Sequence, residues 1–440
     1  MSRGLASRPE QTANISRLDR KGRGEADVPG RPARVLHALP GEQVTFKRRR
    51  RQRGFDEAEI VALLRRSDQR VEPGCPHFGN CGGCSMQHMD GAQQIALKAG
   101  WYREMLAEYD LEPQRWLEPL SGPQWEYRRR ARLGVKKVTG KGRVLVGFRE
   151  VFKPYVADMD SCEILSGGVG QLIQPLCELI DALSICDRLP QIEVAVADNA
   201  TALVLRVLDL PDSDDRKALR RFAKRHGVRF YLQPGGLDSV QALDGRQPGL
   251  VYTLPAFDLS MEFAPVDFIQ VNGVLNEKMV ELALELLSPQ SDEQVLDLFC
   301  GLGNFSLALA RRSAGVIGIE GDMGLVERAH GNAVRNKIDN VEFLPADLFF
   351  PEAEESWMSG EYPCVMLDPP RSGASQIIPF LPSMGTQRIV YVSCNPESLA
   401  RDAASLVKLG YDFKATGIMD MFPHTSHAEA IALFEKTSDG

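Results

Sequence analysis

Two spacings of apolar residues divide this chain. From Ile15 to Ser67, short alternating runs are broken by glycine and proline, a pattern that predicts a small β-barrel. After residue 273 the spacing changes. A helical period over 274–288 leads into VLDLFCGLGNFSLALA, which reads as strand, glycine turn and helix. GVIGIE follows as a strand ending at Glu320, then a helix to about Asn336, then VEFLPAD as a strand ending near Asp347. Two more apolar runs, around Val365 and Ile389, stop abruptly in polar residues, and strands near 411–419 and 429–435 complete the set. Continuous apolar strands separated by helices predict a doubly wound α/β domain.

Between these regions, residues 93–109 predict an amphipathic helix and 125–149 a pair of strands. Residues 171–186 predict a helix that makes Cys177 and Cys186 core residues. Residues 191–255 alternate strands, a charged helix near 213–226 and glycine turns, without chemistry of their own. Residues 1–13 are small and polar, and predict a disordered start.

A length of 440 residues accommodates roughly two to four domains. No apolar run is long enough to span a bilayer and no secretory signal pattern stands at the N-terminus, so the cytoplasm is the expected location. The net charge of −7 argues against nucleic acid, but its distribution argues the other way. Residues 1–70 hold 17 lysines and arginines against 9 acidic residues, a local +8 that leaves −15 for the rest. That asymmetry predicts a basic module joined to an acidic enzyme. The run from Lys47 to Arg51, with Arg53, is expected to track phosphates, the alternative being a solvated face. EYRRRARLGVKK offers a second basic surface, with Trp125 and Tyr127 as stacking groups, or else a merely solvated edge strand.

Nine cysteines, unevenly clustered, point to metal or catalytic chemistry rather than disulfides. Cys75, Cys81 and Cys84 stand close enough, among glycines, for three thiolates to converge. Cys162 is the best-placed fourth ligand. The spacing leaves structural zinc and an iron–sulfur cluster both open, with His77 and His88 as further zinc ligands.

In an open parallel sheet, ligands bind beyond the carboxyl ends of the strands. Asp368-Pro369-Pro370-Arg371 and Ser393-Cys394-Asn395-Pro396 are therefore expected side by side at one edge. Each proline locks φ and restrains the residue before it. Asn395-Pro396 suits an N-cap and first helical position, so the positive end of a helix is expected to favour a Cys394 thiolate. A buried structural cysteine is the alternative. Gly301-x-Gly303 after a strand, with Glu320 at the next strand end, resembles a dinucleotide site, but Ser306 stands where a third glycine would be. The same geometry serves S-adenosylmethionine, with Glu320 on the ribose hydroxyls and Asp347 on the adenine amino group. The spacing favours that methyl donor over NAD.

DLFCGLGNFSLALA, the GIE strand, LDPPRSGA, YVSCNP and FPHTSHAEAI together resemble the RNA uracil-5-methyltransferases. The basic N-terminal region resembles a TRAM domain, and Cys75, Cys81, Cys84 and Cys162 resemble that family's [4Fe–4S] site. Both features point to the branch that methylates a uridine in 23S ribosomal RNA. The resemblance implies a class I, Rossmann-like methyltransferase domain over 268–440, an OB-like TRAM barrel over 14–74 and a central α+β iron–sulfur domain over 75–267. It also implies that residues near 93–124 pack on the catalytic domain, and that the enzyme works as a monomer without a membrane. Carried over residue by residue, it assigns Gln270, Phe299, Asn304, Glu320, Asp347 and Asp368 to the methyl donor. It makes Cys394 the nucleophile and Glu429 the general base.

Carbon 5 of uracil is a poor nucleophile. A thiolate adding to carbon 6 would make it an enolate carbon, and a base must later remove the carbon 5 proton. His424 and His427 are local rivals to Glu429, because histidine is the commoner base. The target uridine must leave its stack to meet Cys394. Two other classes compete. An amino-methyltransferase would favour an aromatic after Asp-Pro-Pro, where Arg371 stands, and has no use for a thiolate. A non-enzymatic RNA-binding module leaves the strand-end residues unexplained.

Overall fold

The computed structural model describes residues 9–352 and 354–437. The N-terminal part is a closed five-stranded barrel formed by Gln11–Leu18, Gly24–Ala26, Ala33–Leu36, Gln43–Arg51 and Asp56–Arg65. Ile15, Val35, Val44, Phe46 and Ala58 fill it. The disordered start expected over 1–13 is corrected at its end, because Gln11, Thr12 and Ala13 pair with Phe46, Thr45 and Val44. Barrel closure supplies a partner strand about thirty residues on, which local composition does not reveal. Residues 1–8 lie outside the described residues.

In the run from Lys47 to Arg51, the three middle cations are paired with carboxylates of the barrel. Strand alternation turns Arg48 inward, where it is buried and donates to Asp56 at 2.9 Å. Arg49 pairs with Glu59, and Arg50 with Glu57 at 2.6 Å. A concavity of about 550 Å³ on the barrel is lined by Lys21, Arg23, Arg34, Arg50, Arg53 and Phe55 among others, with Arg23, Arg34 and Arg50 paired to Asp19 or Glu57. The Arg23 and Arg34 guanidinium carbons lie 4.7 and 4.1 Å from the Phe55 ring centre.

The middle part is a mixed six-stranded sheet that runs from Gln241–Ala242 at one edge to Arg143–Gly147 at the other. Helix Ile173–Asp181 packs against Arg143–Gly147, while Ser213–His226 lies on Val228–Gln233. The helix expected over 171–186 stops at Asp181, because Ser184 is captured by Asp215 through its N–H at 2.8 Å and its hydroxyl at 2.7 Å. Cys186 is therefore half-buried outside the helix, while Cys177 is in the core. The second basic surface is also engaged within the chain. Arg129 pairs with Asp198, Arg132 with Glu193 and Lys137 with Asp181, each near 3 Å.

The third part is an eight-stranded sheet. Val341–Pro345, Gly315–Glu320, Gln294–Leu298, Cys364–Leu367 and Arg388–Ser393 run parallel in that spatial order. Glu429–Lys436 lies antiparallel beside Arg388–Ser393, and Tyr411–Met419 follows it. The last strand, Arg115–Trp116, comes from far earlier in the chain and covers the edge of Tyr411–Met419. Helix Gly91–Ala107 reaches the same region: Tyr102 shares a 2.7 Å hydrogen bond with Thr416, and Lys98 is buried against Asp420. Among the described residues, no helix is long and apolar enough to cross a membrane.

Candidate active site

The parallel strands deliver one side chain after another to a cavity of about 510 Å³, within the rough 300–1,000 Å³ range of small-molecule sites. Gln294–Leu298 runs into Phe299, whose φ of 65° turns the chain sharply into Gly301, Gly303 and helix Ser306–Ala310. Gly303 has φ 91°, and a Cβ there would meet Phe343 and Leu307 at 3.2 and 3.3 Å, so the turn admits no side chain comfortably. Gly315–Glu320 ends in a carboxylate that accepts from Gly301 N–H and Asp322 N–H, each at 3.0 Å. Asn304 exchanges two 3.0 Å hydrogen bonds with Asn276 and accepts from the Tyr252 hydroxyl at 2.9 Å. The Asp347 carboxylate accepts from Phe349 N–H at 2.9 Å.

All eight residues singled out for donor and catalysis line this one cavity: Gln270, Phe299, Asn304, Glu320, Asp347, Asp368, Cys394 and Glu429. Sequence reasoning missed others. Tyr252 and Phe349 line it as well, as does Phe268, an exposed aromatic two residues before Gln270. Asp297 sits beneath them, fully buried, with one carboxylate oxygen unpartnered and the other accepting from the Ser306 hydroxyl. Its place in the VLDLF run, a carboxylate inside an apolar strand, is the signal that marks it.

The floor of the cavity is acidic. Burial pushes Asp368 up to about 7, helped by the charge of Asp297. Burial pushes Glu429 up to about 8, helped by Asp368. Cys394 precedes helix Pro396–Lys408 as expected, yet its thiol is raised rather than lowered. Burial and the charges of Glu429 and Asp368 outweigh Arg371 and the helix end. The Asn395 side chain does not cap the helix; it donates to Arg371 C=O at 2.9 Å and ties the two strand-end motifs together.

The rival bases stand elsewhere. His424 is buried against Trp125, their ring centres 4.1 Å apart, and faces Gln94 rather than the cavity. Neither His424 nor His427 is among the lining residues. Trp125 and Tyr127 do not offer free faces for stacking on RNA: Trp125 lies against His424, and Tyr127 is buried and donates to Pro423 C=O at 3.1 Å.

A second, small cavity of about 20 Å³ is lined by Cys75, Cys81, Cys84 and Cys162 together. Gly83 N–H donates to the Cys81 sulfur at 3.4 Å, the Cys75 sulfur meets backbone N–H groups of His77, Phe78 and Glu163, and Cys162 meets those of Ile164 and Leu165. Burial pushes Cys84 and Cys162 up to about 12. His77 is turned away to Asp160 at 2.7 Å, and neither it nor His88 lines the cavity. Among the described residues, no three His, Cys, Asp or Glu side chains are gathered tightly enough to hold a single metal ion.

A doubly wound sheet with this glycine turn, strand-end carboxylates and cavity defines a class I, S-adenosylmethionine-dependent methyltransferase. A family model described as tRNA (Uracil-5-)-methyltransferase matches residues 250–437. The chain is 45% identical to the 23S rRNA (uracil(1939)-C(5))-methyltransferase RlmD of Alcanivorax borkumensis, over 99% of each chain. It is 46% identical to the protein of the same description from Stenotrophomonas maltophilia, again over 99% of each. The crystal structure of Pyrococcus abyssi tRNA (uracil-54, C5)-methyltransferase in complex with S-adenosyl-L-homocysteine shares the fold, with a TM-score of 0.75, 23% identity and coverage of 96% of this chain and 99% of that one. The chain belongs to the RNA uracil-C5-methyltransferase family.

Proposed function

We propose that this enzyme forms 5-methyluridine at one position of 23S ribosomal RNA, in the cytoplasm and as a monomer, through a covalent bond between Cys394 and carbon 6 of the uracil. One observation carries the reading: Cys394, Asp368 and Glu429 share the floor of the cavity whose walls are the donor-binding residues. The full-length relatives with 23S rRNA in their descriptions support the substrate.

Gln270, Phe299, Asn304, Glu320, Asp347 and Asp368 would hold S-adenosylmethionine, which supplies an electrophilic methyl on a positively charged sulfur. Cys394 adds to carbon 6 as its thiolate, and the pair of electrons displaced from the 5,6 double bond makes carbon 5 nucleophilic. Once carbon 5 is methylated, Glu429 takes its proton. The C–H electrons rebuild the double bond, and the thiolate leaves. Glu429 acts here in its ionised form, which its raised pKa of about 8 makes a stronger base.

Residues 75–267 form the middle domain of this reading, between the barrel of 14–74 and the catalytic domain of 268–440. Within it, Cys75, Cys81, Cys84 and Cys162 would hold a [4Fe–4S] cluster, which would cross-link four points of two loops. Anaerobically purified protein should be brown, with about four iron and four sulfide per chain. Colourless protein with one zinc would end the cluster assignment. RNA would meet the basic concavity around Phe55, where a stacking ring and several cations coincide.

The central test uses RNA carrying 5-fluorouridine. Fluorine cannot leave as a cation, so wild-type enzyme should stall with RNA bound through a bond that survives denaturing electrophoresis. Glu429→Gln should stall in the same way on ordinary RNA after transferring its methyl group. An adduct that persists in Cys394→Ala would exclude Cys394 as nucleophile.

A further inference from the structure

We infer that Gln94 and Lys98, on helix Gly91–Ala107, are positioning residues for proton removal: they hold loop 420–428 so that Glu429 faces the cavity. The inference rests on the reading of Glu429 as the base.

Glu429 opens its strand, paired with Met419, and the loop 420–428 closes the hairpin between them. One Glu429 oxygen, Oε2, is buried without any hydrogen-bond partner. The carboxyl group therefore takes its place from the backbone that carries it. That backbone is held from outside, by residues 85–127. His424 N–H donates to Gln94 Oε1 at 2.9 Å, while Gln94 Nε2 donates to Met86 and Met89 C=O at 3.0 and 2.9 Å. The His424 carbonyl accepts from Ser85 and Met86 N–H, each at 2.9 Å. Lys98 Nζ donates to Asp420 at 2.6 Å and to Phe422 C=O at 3.1 Å.

Two features make this more than packing. His424 has φ 64°, a conformation that a non-glycine residue adopts when its surroundings impose it. Lys98 is 1% exposed and both of its acceptors lie in the loop. A buried ion pair adds little stability over apolar side chains of the same volume, but it fixes one geometry.

The test is a variant that removes the pair without leaving a lone charge, Lys98→Met with Asp420→Leu, and a second, Gln94→Glu, that turns one donor into an acceptor. Both should bind 23S RNA fragments and S-adenosylhomocysteine within about twofold of wild type. First-turnover methyl transfer should persist. Steady-state kcat should fall about ten- to a hundredfold with KM little changed, and a covalent adduct should build up on ordinary uridine RNA. Wild-type kcat would overturn the inference. So would a loss of first-turnover transfer in step with RNA binding and without an adduct, or failure of both variants to fold, because either makes the two residues structural only. If wild-type enzyme forms no adduct with 5-fluorouridine RNA, the covalent reading fails instead, and the two failures are told apart.

Discussion

Two thiol sites of the molecule, Cys394 and the group of four cysteines, differ in what surrounds the sulfur. Around Cys394 stand carboxyl groups, Asp368 and Glu429, with Arg371 as a weaker counterweight. Around Cys75, Cys81, Cys84 and Cys162 stand backbone N–H groups and other thiols, and the cavity they line is small. On the proposed reading, the same side chain serves transient addition in one place and permanent ligation in the other. Burial raises the thiol at both sites, and at Cys394 the neighbouring charges of Glu429 and Asp368 add to it. At the four-cysteine cavity, backbone N–H groups offset the burial of Cys75, Cys81 and Cys162 only in part.

The sharpest way to break this contrast is to disable each site in turn. Cys394→Ala should lower methyl transfer on the order of 10⁴-fold or more, in single-turnover assays, while iron content and thermal midpoint stay at wild-type values. Cys81→Ser should do the reverse in kind: iron is released and stability falls by about 2–5 kcal/mol, the scale of a broken cross-link, measured by denaturant melts. If Cys394→Ala also releases iron, the two sites are not separate.

The acidic floor yields a pH prediction. Glu429 is raised from 4.5 to about 8, so the folded state holds its proton more tightly than the unfolded chain does. Its contribution is therefore least harmful below pH 4.5 and turns destabilising as pH climbs toward 8. Glu429→Gln should gain stability relative to wild type between about pH 5 and pH 9, by a few kcal/mol on the order of magnitude of such a shift. Thermal midpoints at the two pH values check it; a constant difference would mean that Glu429 is not a buried, titrating acid. The smallest effect concerns the RNA. Lys21→Ala with Arg53→Ala should reduce the salt slope of RNA binding by about one for each phosphate left without its cation, and methyl transfer at saturating RNA should hold. Neutralising Arg48 and Arg49 instead should change the slope less, since both already pair with carboxylates.

Much of this is legible in the chain because the α/β sheet writes its chemistry at strand ends. An apolar run that stops at Asp368 or Cys394 locates a residue at the sheet's carboxyl edge without any knowledge of the neighbours. What is not legible depends on who those neighbours are. The helix end behind Cys394 is visible in Asn395-Pro396, but the opposing carboxyls come from strands that adjoin only in space, so sequence alone points the thiol's shift in the wrong direction. Arg48 and Arg49 read as free cations because Asp56 and Glu59 lie on the next strand of the barrel. Trp125 and Tyr127 read as stacking groups because nothing in the sequence announces that loop 420–428 folds over them.

The short strand Arg115–Trp116 carries a consequence for how the protein is made. Its partner, Tyr411–Met419, is synthesised roughly 300 residues later, which at ordinary rates means on the order of 15–60 seconds of waiting. During that time the first-made piece of the catalytic sheet has nowhere to dock. A fragment beginning at residue 250 faces the mirror problem: it would present Tyr411–Met419 as an open row of unpaired N–H and C=O groups, ready to recruit a strand from another molecule. The edge of the catalytic sheet is thus completed at Ala415 and Thr416 by a segment made long before it.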